Sequence, residues 1–155
     1  MTYRAAAGFS PTLETSLRRV VITGLGVVAP NGIGTEAFWH ATRHGISGIR
    51  PISRFATADL LMSVAGEVSN FAAGDYIERK LVNRTDRSTH YVLAAVQEAL
   101  QDAALALADE NGQRVGAVIA STLGGMDYVL PQFQALYTRG LRAMSAYTAI
   151  AGLQV

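Results

Sequence analysis

Two features have residue types and spacing that could do chemistry: the histidines His40 and His44, and the glycine pair in Gly24-Leu25-Gly26. Histidines at i and i+4 put two imidazoles on one helical face, as a zinc site requires, but the glutamate of an HExxH site is absent. No metal site is expected there. Gly24-Leu25-Gly26-Val27-Val28-Ala29 matches G-x-G-x-x-A behind a β-branched run, the weak form of a dinucleotide-binding fingerprint. That chemistry needs a helix to open at the glycines, so that its first amides face a pyrophosphate. Here Val27-Val28 favour extended chain and Pro30-Asn31-Gly32 interrupts before any helix. No acidic residue stands about 20 positions on to hold a ribose. The glycines are therefore read as a place where a strand passes close beneath neighbouring backbone. The chain has no cysteine, which excludes disulfides, thiolate metal sites and a thiol nucleophile within these residues.

Composition narrows the class further. Of the 155 residues 50% are hydrophobic and 16% charged, and the net charge is +1. A disordered chain and a basic nucleic-acid module are both excluded. The length suits one domain with a sizeable core. No apolar run reaches the roughly 18 residues of a membrane span, and residues 1–17 lack the layout of a signal peptide. We expect a flexible leader over 1–17, a cytoplasmic location, no cofactor, and neither nucleic acid nor membrane as partner.

The elements that must position any site follow from the pattern. Val20, Val21, Ile22 and Thr23 read as a buried strand entering the glycine turn, and Thr35 as the cap of a helix running from Glu36 to about His44. Phe38 and Trp39 would anchor that helix and Gly45 would stop it. Residues 46–85 are irregular, with a possible edge strand over 64–68. Asp86 is a good N-cap for a long helix reaching about Ala108, in which Tyr91, Val92, Ala95, Val96, Ala99, Leu100 and Ala103 recur at helical spacing. Its alanines predict close packing. Asn111-Gly112 forms a turn, and residues 115–120 read as a second buried strand. The order strand, helix, long helix, strand defines an α/β class.

These pieces carry a resemblance. Residues 19–32, Phe38-Trp39, 45–49, Arg54-Phe55, 65–68, Asp86-Arg87 and 120–125 fall in the order seen in β-ketoacyl synthases, the ketosynthase or condensing-enzyme family. Within it, Val28-Ala29-Pro30-Asn31-Gly32 and Ser145-Ala146-Tyr147 look most like chain length factors, the non-catalytic β subunits of type II polyketide ketosynthase heterodimers. The resemblance implies the N-terminal half of a thiolase-like αβαβα sandwich over residues 18–155, with a C-terminal half still to follow. It implies as partners a catalytic ketosynthase subunit or complementary C-terminal fragment, and acyl carrier protein. In catalytic members a cysteine takes the acyl chain and two histidines assist malonyl decarboxylation. No residue here matches those three, and His90 is not assigned to them.

What this half implies is shape. Met126, Val129 and Phe133 stand at i, i+3 and i+7 and match positions lining the end of the acyl tunnel, where the first is aromatic in relatives. Core packing explains the same spacing equally well, and Pro131 would allow a helix to begin later and leave Met126 in a loop. Tyr147, Ile150 and Leu153 match a segment at the partner interface. The competing enzyme reading is the first portion of an active β-ketoacyl-acyl-carrier-protein synthase whose Cys-His-His lies further on.

Overall fold

The computed structural model describes residues 19–109 and 112–148. Its first unit is local. Pro30-Asn31 turns the chain between β1 (Val28–Ala29) and β2 (Gly32–Ile33), antiparallel with Val28 opposite Ile33. Gly34, at φ 88°, then redirects the chain into α1 (Thr35–Arg43). The cap expected at Thr35 is thus displaced by one residue. Thr35 is the first helical residue because Glu98 draws it in: its amide and hydroxyl donate to Glu98 Oε1 at 2.6 and 2.9 Å. Gly45 at φ 66° follows the last turn, as expected of a glycine stop. The expected anchors change. Ala41 is the buried residue, whereas Trp39 is 62% exposed, about 200° around the helix from it.

Past a one-turn helix α2 (Arg79–Val82), the long helix α3 (Arg87–Asp102) starts at the Asp86 cap and ends sooner than its apolar pattern suggests. Ala104 takes φ 50°, its amide donates to the Gln101 carbonyl, and Leu105 N donates to Leu100 O, both at 3.0 Å. That pair of bonds is a Schellman closure. It folds Leu105 back so that it shares one apolar cleft with Leu100, Val96 and Leu93.

Residues 24–27 lie along α3 and explain the glycine pair. A Cβ at Gly26 would overlap the Ala95 carbonyl oxygen, and one at Gly24 that of Ala99. Alternating with the glycines, Leu25 N donates to Asp102 Oδ2 and Val27 N to Glu98 Oε2, each at 2.9 Å. The periods match, since two strand residues rise about 6.7 Å and four helical residues about 6 Å. No helix opens at these glycines. Burial pushes the Glu98 carboxyl up, but the Thr35 and Val27 amides and the Thr35 hydroxyl outweigh it and hold the pKa below its ordinary value.

The second hairpin pairs β3 (Ile49–Pro51) with β4 (Val64–Gly66), Arg50 opposite Ala65. β4 was legible as an edge strand; β3 was not. The two expected buried strands do not form. Residues 20–23 and 115–120 make no ladder among the described residues, and Val20 and Val118 are 94% and 101% exposed. A buried strand needs hydrogen-bonded neighbours at its edges and cover on both faces. Here α3 covers only the stretch that continues from residue 24, and no described segment runs beside 115–120. Asn111 lies outside the described residues, as does the leader.

The last long helix, α4 (Met126–Arg139), begins after Gly125 at φ 85°, a left-handed conformation that suits glycine. Pro131 sits inside it without ending it, so Met126 belongs to the helix and not to a loop.

Candidate functional site

The site is built where α3 and α4 begin. Asp86 has a short carboxylate and only 5% exposure. Oδ1 accepts from Ser88 N and Ser88 Oγ, both at 2.8 Å, which caps α3. Oδ2 crosses to the other helix and accepts from Tyr128 N at 3.0 Å, and the Gly125 amide also donates to this carboxylate. One anion therefore serves two helix N-termini, whose dipoles both favour negative charge. Burial pushes the Asp86 carboxyl up, but the Ser88, Tyr128 and Gly125 donors together hold its pKa below the usual aspartate value.

A second arm reaches the same turn from β4. Glu67 accepts from Ser53 Oγ at 2.7 Å and from the Ser53 and Arg54 amides. These bonds, the Ser53 hydroxyl first, lower the Glu67 pKa. They fix the loop that presents Arg54, whose Nη2 meets Asp127 Oδ2 at 2.8 Å. Ser121 Oγ accepts from Gly124 N at 3.0 Å on the approach to the turn.

Between these tethers lies a cavity of about 370 Å³, lined by Arg54, Phe55, Tyr91, Leu123 and Met126 among others. Of the three tunnel residues expected, Met126 reaches it. Val129 and Phe133 lie further along α4 and outside its lining. Met126 and Phe133 are about 20° apart around the helix, with Val129 to one side. Phe133 is 43% exposed and Met126 39%. The stripe is therefore not closed core among the described residues.

The far side of α4 holds the expected partner segment. Ser145 N donates to Gln132 Oε1 at 2.8 Å, and Tyr128 Oη and Ser145 Oγ share a hydrogen bond at 3.1 Å. Tyr147 follows, with the Arg84 guanidinium 4.7 Å from its ring centroid. Ile150 and Leu153 lie outside the described residues.

The titratable groups suggest no acid–base chemistry. Thr85 Oγ1 donates to Leu81 O, so its lone pair is left to accept from buried His90 Nε2 at 3.1 Å. His90 is held as structure. His44 Nδ1 lies 2.8 Å from the His40 carbonyl, and the two ring centroids are 4.4 Å apart with the planes tilted by 34°. Among the described residues no group of three His, Asp or Glu side chains converges as a metal site would. The work available to this arrangement is steric: a fixed helix start presenting an apolar side chain to a cavity.

Residues 17–153 match the model of the beta-ketoacyl synthase N-terminal domain, and the chain belongs to that family. It is 40% identical over 132 residues to the tetracenomycin polyketide synthase ketoacyl synthase beta subunit of Streptomyces glaucescens, covering 85% of this chain and 32% of that one. It is 36% identical over 130 residues to 3-oxoacyl-[acyl-carrier-protein] synthase 2 of Coxiella burnetii, covering 84% and 31%. Among solved structures it resembles the ishigamide ketosynthase/chain length factor, with a TM-score of 0.66, 31% identity, and 85% and 33% coverage. The chain spans about a third of the length of the curated relatives it matches. Its α/β fold is that of the N-terminal part of the thiolase-like ketosynthases.

Sequence reasoning saw Asp86 only as the cap of α3. Its bond to Tyr128 spans 42 positions, and no local spacing signals it.

Proposed function

We propose that the chain forms the N-terminal part of a chain-length-factor-like β subunit of a type II polyketide ketosynthase heterodimer. In this role it shapes the end of the acyl tunnel. The catalytic partner supplies the cysteine and condenses malonyl and acyl groups carried on acyl carrier protein. The observation that carries the reading is the tethered start of α4, which delivers Met126 to the cavity with Val129 and Phe133 following on the same helix. The relative named as a ketoacyl synthase beta subunit and the ketosynthase/chain length factor neighbour support it. Tyr147, Ile150 and Leu153 are assigned to the partner interface.

Methionine is flexible and yields space more readily than an aromatic ring. Met126→Trp in the assembled complex should therefore shorten the product by at least one extender unit, read by mass spectrometry. Unchanged product length in an intact complex overturns the proposal. A second reading, a catalytic 3-oxoacyl-acyl-carrier-protein synthase, is favoured by the comparable identity to the Coxiella burnetii enzyme. Incubation of the native assembly with labelled acyl-acyl-carrier protein separates the two. Label on the partner supports the β-subunit role, and label on the subunit containing this chain supports the catalytic one.

A further inference from the structure

We propose that Asp86 is a positioning residue for product length: its single carboxylate references the first turn of α4 to α3 and so fixes where Met126 enters the cavity. The inference rests on the tunnel-shaping reading above. Met126 lies between the two residues whose amides Asp86 holds, Gly125 and Tyr128. A methionine side chain has little directional stiffness of its own, so its reach is set by the backbone beneath it. The backbone at Gly125 is left-handed and turns sharply, and a small rotation there would swing the first helical side chain across the cavity mouth.

The other tether is weaker. The Arg54–Asp127 pair has side chains 45% and 56% exposed, where water and salt screen it. Asp86 is buried, and its bonds are charge-assisted. The platform it refers to is also firm. α3 is held against residues 24–27 by close backbone contact and by the Glu98 and Asp102 bonds.

Asp86→Asn discriminates between the two jobs of the carboxylate. Asparagine is an equally good N-cap, so its carbonyl keeps the Ser88 bonds. Its NH₂ then faces the Tyr128 and Gly125 N–H groups, donor against donor. In the assembled ketosynthase complex, Asp86→Asn should spread the product over at least one unit either side of the native length. Unchanged length overturns the proposal, whether the rate falls or not, because a merely structural role lowers yield and rate without redistributing products. If Asp86→Asn fails to assemble, Asp86→Glu keeps the charge but pushes the turn outward by one methylene, and the same spread is expected. Failure of both to assemble counts against the proposal and makes Asp86 a folding residue. Met126→Trp, measured in parallel, separates the two ideas. If it shortens the product while the Asp86 variants do not, only the positioning role falls; if it has no effect, the tunnel reading falls.

Discussion

Gly26 and Gly24 decide how closely an extended segment can approach a helix, and the decision is made at single atoms. At Gly26 a methyl group would meet the Ala95 carbonyl oxygen and the Ala99 amide, which are backbone and unable to swing aside. Gly26→Ala should lower the stability of the assembled protein by about 1–3 kcal/mol, the usual cost of forced overpacking. Gly74→Ala is the control, since nothing lies within 4 Å of a Cβ there. Denaturant midpoints of the two variants should differ clearly; equal midpoints would mean that residues 24–27 do not lie on α3 as described. The same side chains show what a sequence can and cannot display. Glycines beside an alanine-rich helix announce a close approach. Glu98 and Asp102 announce nothing, because a carboxylate that faces solvent and one that accepts a distant amide read alike.

At the scale of elements, α3 ends at a residue poorly suited to its conformation. Ala104 occupies the left-handed position of a Schellman closure, where glycine bears no Cβ penalty. Ala104→Gly should raise stability by up to about 1 kcal/mol, read as a higher midpoint, because the strain of about 1–2 kcal/mol for an L-residue is partly offset by glycine's greater freedom when unfolded. A decrease would show that the Ala104 methyl makes a contact worth more than the strain. The existence of α1 and α3 was legible, as were the Asp86 cap and the Gly45 stop, which act within one turn; the Thr35 cap was off by one residue, and α3 buries His90 and Ala94 rather than the expected stripe. The end of α3 was not legible, since the apolar pattern continues past Ala104 while the backbone reverses. Residues 20–23 and 115–120 show the converse. Their β-branched and apolar residues express a wish for burial, which a strand satisfies only through neighbours on other segments. The Met126, Val129 and Phe133 stripe on α4 was visible as spacing, but its helical start was fixed by Gly125 and Asp86, at distances that spacing does not encode.

Across the whole molecule, apolar side chains at Val20, Ile22 and Val118 stand open while the relatives are about three times as long. The docking of residues 24–27 on α3 has a different consequence, one of timing. Every α3 group named as holding this segment (Ala95, Glu98, Ala99, Asp102) precedes Ala104 in the chain. A polypeptide emerging from the ribosome therefore exposes both sides of this contact before residues 115–120 leave the exit tunnel. The layer can close during synthesis, with the hairpin and α1 already attached through Glu98 and Thr35. Ribosome-bound chains stalled once Leu105 has cleared the exit tunnel should protect α1 from protease, and the same chains carrying Gly26→Ala should not. Order of translation would then be part of how the open apolar segments are kept waiting on a formed platform rather than on a loose chain.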